Sequence, residues 1–546
     1  MGTGAQTENG GFSRRRFLQG AGGAMLVAPA LWIKPGFASE LPAQVHLEFG
    51  SEPSRQMVVS WSTSAAVSRP RVKLGTAHGG FGRVIPAETR TYVDGLSGTE
   101  VFTHHALIEG LHASSDYTYQ VLHDGADSVD GHFRTAPRGR ERFRFTSFGD
   151  QSIPDQLGNP PTQPWTRYSG LIVPEVEAEQ PLLHLLNGDL CYANVAGREQ
   201  LRVQTWRSFF NNNSRSARFR PWMPAAGNHE NERLDGRPGR DPYKAYQTWF
   251  DLPPNGAEPE FAGLWYALTI GNVRFVFINN DDVCYQDGGN TYIRGYSGGR
   301  QKQWLERTLR EARDAEETDW IVVCMHQVAM STAIPFNGCD LGIREEWLPL
   351  FDRYGVDLVV SGHEHHYERT LPVRGHEDQF LRPKAASHEL DQIDTGRGTV
   401  HMILGGGGHN ASSFDKYALS GGVFQAEIIA PQDPAAPTTP GKPIPLITPK
   451  PRELATWSAT SLSPDPVHSH ARDSFHGYGF GSFDVDPGVE GGWTTISVRY
   501  HRVLDPTNPA DTGKARDYDS FTLRRRRSDG ESEQEKQAER SALASG

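Results

Sequence analysis

Five short polar segments, each directly after an apolar run typical of a β-strand, constrain this 546-residue chain more than any other feature. In α/β sheets ligands bind beyond the carboxyl ends of the strands, so side chains placed there meet at one edge. The segments are Phe148-Gly149-Asp150, Asn187-Gly188-Asp189-Leu190-Cys191-Tyr192, Ala226-Gly227-Asn228-His229-Glu230, Val323-Cys324-Met325-His326 and Gly362-His363-Glu364-His365. This pattern predicts a cluster of polar side chains at one edge of an α/β domain.

The residue types in these segments indicate what the cluster binds. Carboxylate, phenol, amide and imidazole groups are suitable ligands for iron, zinc or manganese. Two Asp, one Tyr, one Asn and three His would fill a site for two metals, in which a shared carboxylate bridges ions about 3.5–4 Å apart. Each motif alone occurs by chance in many chains, so the prediction depends on all five in this order.

Charge and cysteine content exclude several other classes of protein. The 55 Lys and Arg residues against 66 Asp and Glu residues give a formal net charge of −11. A general nucleic-acid-binding protein usually carries a basic face, so no nucleic acid is expected as a dedicated partner. Four scattered cysteines exclude a disulfide scaffold and a zinc knuckle. A bridge between Cys284 and Cys339 stays open, because export permits disulfides.

The first 38 residues resemble a cleaved export signal rather than part of the fold. Ser13-Arg14-Arg15-Arg16-Phe17-Leu18 resembles the twin-arginine signal, a mildly apolar stretch follows over 21–33, and Gly36-Phe37-Ala38 offers a cleavage site. The alternative is a basic tail beside a short buried helix. The signal predicts recognition by the twin-arginine translocation machinery and a mature protein in the periplasm, cell wall or extracellular space. Removal of residues 1–38 takes away a net charge of +3 and leaves a formal net charge of −11 − 3 = −14 on the mature chain. No later run approaches transmembrane length, so no stable membrane span is expected.

Two domains are predicted in the mature chain. Short β-rich runs separated by turn residues over 42–137 predict an all-β sandwich that resembles a fibronectin type III domain. From 138 to 505 apolar strands alternate with helices, which predicts an α/β domain with mixed sheets. The predicted strands are 144–148, 182–186, 273–278, 321–325, 358–360 and 400–404, and the predicted helices are 301–315 and 343–354.

Two further segments are predicted to lie outside regular structure. Residues 431–451 are rich in Pro, Ala and Thr, which is typical of an extended surface loop. Residues 506–546 contain Arg524–Arg527 and a Glu/Gln/Lys/Ser run, which predicts a disordered tail.

The ordered set of motifs resembles the purple acid phosphatases of the calcineurin-like metallophosphoesterase superfamily. The resemblance covers residues 42 to about 500 and includes the fibronectin-like domain of the family's larger members. It implies a mixed β-sandwich flanked by helices, with metals at one edge. It also implies an acid phosphatase that hydrolyses small phosphate esters, chiefly monoesters, by attack of a metal-bound hydroxide.

The resemblance also implies a role for each motif residue. The first metal, expected to be Fe(III), would be held by Asp150, Tyr192 and His365. The second, expected to be Fe(II), Zn(II) or Mn(II), would be held by Asn228, His326 and His363, with Asp189 bridging the two. His229 would not bind metal but would contact the phosphate or the leaving group as the catalytic side chain.

Two departures from the family leave alternatives open. Ser152 stands where the family usually has glycine, so the resemblance does not extend to the loop geometry around Asp150. The histidines that plant and animal members carry after the His326 motif are missing between 327 and 345. Asn337, Asp340 and Arg344 are candidates to replace them, and His409 lies beyond a strand end from which it could reach the site.

Three functions compete at this stage. The leading one is the exported phosphomonoesterase, and the second is a phosphodiesterase or nucleotidase that uses the same metals. The third is a non-catalytic binding protein in which the fibronectin-like domain does the work and the metal site is vestigial. The complete ligand set weighs against this third hypothesis, since a decayed site should have lost ligands.

Overall fold

The computed structural model places two β-sandwiches in succession along the chain. It describes residues 41–76, 79–154, 168–195, 199–232, 242–284, 295–331, 340–377, 381–409, 423–431, 447–458, 471–473, 478–504, 510–530 and 541. The predicted signal over residues 1–38 lies outside these ranges and stays a prediction. Within them, no helix is both long and apolar enough to cross a membrane.

The first sandwich consists of two antiparallel four-stranded sheets, in the orders β1-β2-β6-β5 and β4-β3-β7-β8. Its strands are β1 Ala43–Glu48, β2 Met57–Thr63, β3 Arg71–Thr76, β4 Arg83–Pro86, β5 Glu88–Val93, β6 Glu100–Ile108, β7 Asp116–Leu122 and β8 Val129–Arg134. Alternating side chains of the two sheets fill the space between them, with Trp61 and Tyr119 fully buried. The predicted all-β sandwich is therefore confirmed.

The second sandwich contains two mixed seven-stranded sheets. Their orders are β11-β10-β9-β24-β25-β26-β19 and β12-β13-β14-β15-β20-β16-β23. The strands after residue 137 are β9 Phe143–Phe148, β10 Leu183–Asn187, β11 Trp222–Ala225, β12 Tyr266–Ile270, β13 Val273–Phe277, β14 Trp320–Cys324, β15 Leu358–Ser361, β16 Tyr367–Arg369, β17 Val373–Glu377, β18 Arg382–Ala385, β19 Gln392–Asp394, β20 Val400–Leu404, β21 Val423–Pro431, β22 Ile447–Ser458, β23 Ala471–Asp473, β24 Tyr478–Asp486, β25 Trp493–Leu504 and β26 Arg516–Arg526. Of these, β17 with β18 and β21 with β22 form two separate two-stranded sheets. All six strands predicted for this domain are confirmed.

Six α-helices accompany the second sandwich in the described residues. They are α1 Ser169–Ala178, α2 Arg202–Ala217, α3 Lys244–Trp249, α4 Arg300–Asp314, α5 Leu341–Glu346 and α6 Leu348–Tyr354. The helix predicted over 301–315 is confirmed as α4. The single helix predicted over 343–354 is wrong, because it divides at Trp347 into α5 and α6. Pro349 has no amide hydrogen to continue the first helix, and it sits in the first turn of the second.

The prediction of a disordered tail from residue 506 is wrong over residues 516–526. These residues form β26, which pairs antiparallel with β25 and parallel with β19. Phe521 and Leu523 are buried. Arg525 is buried against Asp357, while Arg524 and Arg526 lie over the Trp493 ring. The charged run therefore belongs to the sheet, because its charges have partners elsewhere in the fold.

The predicted surface loop over 431–451 is also corrected at its ends. Pro431 is the last residue of β21, and residues 447–451 begin β22, which pairs antiparallel with β21. Residues 432–446, between these two strands, lie outside the described part of the chain.

Candidate metal centre

The predicted motif residues follow the carboxyl ends of parallel strands in both sheets. β9, β10 and β11 run parallel in one sheet, and the loops after them carry Asp150, Asp189, Tyr192 and Asn228. β14 and β15 run parallel in the other sheet, and the loops after them carry the three histidines His326, His363 and His365. The two sheets bring these loops together at one edge of the sandwich. All seven predicted ligands lie there, in two adjoining groups.

The first group consists of Asp150, Tyr192 and His365. The phenol Oη of Tyr192 lies 2.9 Å from Asp150 Oδ1 and 3.0 Å from His365 Nε2. His365 Nε2 and Asp150 Oδ1 are 3.2 Å apart. Burial, and next the negative charge of Asp150, raise the pKa of Tyr192 well above its ordinary value. The phenol is therefore neutral unless a cation takes the place of its proton.

The second group consists of Asp189, Asn228, His326 and His363. His326 Nε2 lies 3.1 Å from Asp189 Oδ2, from Asn228 Oδ1 and from His363 Nδ1. One ligand atom each from Asp189, His326 and His363 falls within a span of 4.8 Å. His326 Nδ1 lies 2.7 Å from the carbonyl oxygen of Asn187 and donates to it, because a carbonyl can only accept. When His326 is neutral, its lone pair therefore sits on Nε2, which faces the other predicted ligands.

Asp150 connects the two groups. One of its carboxylate oxygens belongs to the first group, and the other accepts the backbone N–H of His363 at 2.8 Å. Burial alone would lower the pKa of His326, but Asp189 and Asp150 raise it to about 10. The pKa of Asp189 is lowered, because His326 and His229 outweigh the burial that raises it. The two buried carboxylates thus favour positive charge at the centre of the site.

His229 lies beside the second group without joining it. Its Nε2 is 3.8 Å from Asp189 Oδ2, and its backbone N–H donates to Asp189 Oδ1 at 2.8 Å. Its Nδ1 lies 2.6 Å from the amide oxygen of Asn194, whose own Nδ2 donates to the Asn231 carbonyl oxygen. His229 Nδ1 therefore carries a hydrogen, and Nε2 faces the site. Asn194 is a contact that the sequence analysis missed, since a lone amide gave no signal.

Glu230 is a second residue whose role the sequence analysis did not identify. Its buried carboxylate accepts three backbone N–H groups, from Asp189, Leu190 and Gly227, each at 2.8 Å. It thereby ties the loop after β10 to the loop after β11. The acidic residue in the third motif is a clamp between two ligand loops.

Replacing Glu230 by glutamine is expected to weaken metal binding by about 10- to 100-fold, the usual effect of losing a group that orients ligands. The amide nitrogen of glutamine would face N–H donors where a carboxylate oxygen accepted them. Competition against a chelator measures the affinity. Glu232→Gln is the matched control, since Glu232 is buried two residues away and accepts from Trp206 Nε1 instead. Equal losses in both variants would contradict the role of Glu230 as a clamp.

The structure separates the remaining candidates. Asp340 accepts the backbone N–H groups of Gly342 and Ile343 at the start of α5, and Arg344 Nε donates to the Ala329 carbonyl oxygen. These contacts give both residues a structural role. Asn337 lies outside the described residues, as does Cys339 of the disulfide alternative.

Two other residues lie directly against the first group. Ser152 is buried with a left-handed φ of +64°, the conformation for which the family's usual glycine is suited. The ring of His409 stacks on Tyr192 at a centroid distance of 3.7 Å, so His409 does reach the site.

Comparison with protein families matches the first sandwich and part of the second. Residues 42–135 match the family described as Purple acid Phosphatase, N-terminal domain, and residues 167–367 match the Calcineurin-like phosphoesterase family. An uncharacterized protein of Mycobacterium tuberculosis is 47% identical over 526 residues, which cover 91% of this chain and 94% of the relative.

More distant relatives carry descriptive names. The Fe(3+)-Zn(2+) purple acid phosphatase 12 of Arabidopsis thaliana is 27% identical, over 68% of this chain and 72% of that protein. Among solved structures, purple acid phosphatase PPD1 from yellow lupin seeds has a TM-score of 0.61 at 22% identity, covering 90% of this chain and 75% of that chain. This structural likeness shows that the two proteins share a fold.

Proposed function

Because this chain belongs to the purple acid phosphatase family of phosphoric ester hydrolases, we propose that it is an exported dinuclear-metal acid phosphatase acting on phosphate monoesters. The observation that carries the proposal is the convergence of seven ligand side chains in two adjoining groups. A small phosphorylated molecule is the proposed substrate. The motif over residues 13–18 supports export by the twin-arginine machinery to the periplasm, cell wall or extracellular space.

The donor chemistry of the two groups fits two different cations. Asp150, Tyr192 and His365 provide a carboxylate, a phenol and an imidazole, which suit Fe(III) because a hard trivalent ion favours an anionic oxygen donor. Asn228, His326 and His363 provide one amide oxygen and two imidazoles, which suit Fe(II), Zn(II) or Mn(II). Asp189 Oδ2 lies 3.1 Å from His326 Nε2, and Asp189 is the proposed bridge. When bound, such cations withdraw electron density from phosphorus and acidify water.

The protein's own contribution to the reaction comes from His229. Its Nδ1–H is held by Asn194, so its Nε2 points toward the site and can hold a proton for the departing alkoxide. Burial lowers the pKa of His229 below its ordinary value, although the charge of Asp189 acts in the opposite direction. The His229 side chain is 13% exposed, so part of it can be reached from solvent.

The proposal predicts that protein purified from its own host carries about two metal ions per chain and a visible absorption band. Tyr192→Phe should remove the band, because the band would arise from charge transfer between the Tyr192 phenolate and Fe(III). Tyr243→Phe is the matched control, since the Tyr243 hydroxyl is buried against Asp281 rather than in the metal groups. Metal analysis and a visible spectrum measure both effects. Fully iron-loaded protein without a band would contradict the assignment of Tyr192.

Paired assays separate the competing functions. Faster hydrolysis of p-nitrophenyl phosphate than of its bis ester supports the monoesterase, and the reverse order supports a phosphodiesterase. Less than one metal per chain, together with an Asn228→Ala variant that retains all function, would support a binding protein. Activity confined to the cytoplasmic fraction would contradict export.

A further inference from the structure

A glycine-rich segment after β20 runs directly along the loop that carries Asp150. The backbone N–H of Gly407 donates to the Gly149 carbonyl oxygen at 2.9 Å, and that of His409 donates to the Asp150 carbonyl oxygen at 2.9 Å. Two backbone hydrogen bonds thus fix residues 405–409 against the first ligand loop. The segment ends at His409, and the next residue that the structure describes is Val423.

The glycines permit this approach because side chains would not fit. A Cβ atom added to Gly405 would overlap the Glu364 carbonyl oxygen, and one added to Gly407 would overlap the Gly149 carbonyl oxygen. Two backbone segments therefore lie closer than any residue with a side chain allows. The result is that His409 is delivered to a fixed place beside the first ligand group.

At that place the His409 imidazole stacks on the Tyr192 ring. The ring centroids are 3.7 Å apart and the planes are inclined by 12°. A second imidazole, that of His229, lies 4.4 Å from the same phenol at 42°. The edge of His409 also meets His365, at 5.1 Å and 84°. The Tyr192 ring thus packs against the imidazoles of His409 and His229.

Stacking limits the movement of the Tyr192 ring perpendicular to its plane, which is the movement that would displace the phenol oxygen. Tyr192 Oη lies 2.9 Å from Asp150 Oδ1 and 3.0 Å from His365 Nε2. A displacement of the ring perpendicular to its plane would carry Oη away from both atoms. A planar group against the ring at 3.7 Å blocks that displacement. No ionisation of His409 is needed for this effect.

We propose that His409 is a positioning residue that holds the Tyr192 phenol oxygen at its place between Asp150 and His365. The proposal rests on the proposed function in so far as Tyr192 is taken to bind a metal there. On this proposal, the glycines of residues 405–408 allow the chain to place the planar His409 side chain on the face of the Tyr192 ring.

The test compares three variants of His409 in the full chain. Alanine removes the stack, leucine fills the space without a planar ring, and phenylalanine restores a planar partner. His376→Ala is the matched control, since His376 is an exposed histidine on β17. The position of Tyr192 is read in metal-free protein from the ¹⁹F resonance of incorporated 3-fluorotyrosine, which is assigned with Tyr192→Phe.

We expect alanine and leucine at position 409 to shift and broaden the Tyr192 resonance, while phenylalanine and the His376 control keep it sharp. In iron-loaded protein the same two variants should shift the visible band and lose iron to a chelator about 2- to 10-fold faster, in line with the usual strength of an aromatic pair. If the alanine variant does not fold, the leucine and phenylalanine variants decide the question.

Two results are distinguishable failures. If alanine and leucine leave the Tyr192 resonance as it is in the His376 control, the positioning role of His409 is overturned. If wild-type protein loaded with iron shows no visible band, the metal assignment of Tyr192 fails, while the ¹⁹F comparison still decides whether His409 positions the phenol.

Discussion

Replacing Asp189 by asparagine is expected to reduce phosphatase activity by about 1000-fold, equivalent to about 4 kcal/mol of transition-state stabilisation. Asp189 Oδ2 is 3.1 Å from His326 Nε2, and its other oxygen accepts the backbone N–H of His229. Asparagine has nearly the same shape but no charge. Two adjacent cations would then lose the shared anion that makes their repulsion tolerable.

Metal analysis and kcat measured on the same preparations check this prediction. The metal content should fall from about two ions per chain to one or fewer, because the second group loses its only carboxylate. Asp484→Asn is the control, since Asp484 pairs with Arg144 on β24 and β9, away from the ligand loops. An Asp189→Asn variant with full metal content and wild-type kcat would exclude a bridging role.

Replacing Asp357 by alanine is expected to lower the free energy of unfolding by about 3–5 kcal/mol, the usual effect of removing one partner from a buried ion pair. Both Asp357 oxygens are fully buried and accept hydrogen bonds. Oδ2 accepts from Arg313 and the Ile321 N–H at 3.0 and 2.8 Å, and Oδ1 accepts from Arg525 and Thr395 at 3.1 and 2.6 Å. Alanine would leave two guanidinium groups in a poorly hydrated place without their carboxylate.

Denaturant unfolding of the two proteins measures this loss, and its pH dependence is a second check. Burial alone would raise the pKa of Asp357, but Arg525 and Arg313 lower it below its ordinary value. A depressed folded-state pKa contributes stability that is present above the unfolded value of about 3.9 and is lost as pH falls through the folded value. The difference between wild type and variant should be constant from pH 7 to 5 and shrink below about pH 4.

Arg134→Ala provides the comparison for this second prediction. The Arg134–Asp116 pair lies on the exposed surface of the first sandwich, with both side chains at least half exposed. Breaking such a pair changes stability little, usually by 1 kcal/mol or less. A loss at Asp357 no greater than that at Arg134 would show that the buried network does not hold β26 to the rest of the domain.

Much of the fold could be predicted from local sequence. Short apolar runs followed by Gly, Asp, Asn or His predicted the strands β9, β10, β14 and β15 and the side chains that follow them. This was possible because strand propensity and ligand type are properties of neighbouring residues. The helix α4 was predicted for the same reason, from an apolar stripe at helical spacing. Its apolar residues Leu305 and Leu309 are buried as that stripe requires.

The C-terminal strand could not be predicted in this way. Along β26 only Phe521 and Leu523 are apolar and buried, and the neighbouring inward positions are charged. Asp519 pairs with Arg369 and Tyr367, and Arg525 pairs with Asp357. A charged run predicts a solvated segment unless the partners of its charges are known. Here those partners lie more than 140 residues away in the chain.

The same limit applies at the metal centre. The sequence by itself determined which side chains follow which strands, and therefore that carboxylate, phenol, amide and imidazole groups lie at the carboxyl ends of strands. The tertiary structure brings the ends of strands from two sheets together. Only the tertiary structure decided what surrounds them: Glu230 across two ligand loops, Asn194 on His229, and His409 on Tyr192. The physical reason is that ligand identity is carried by one residue and its neighbours, whereas a hydrogen bond or a ring stack between distant segments depends on how the whole chain packs.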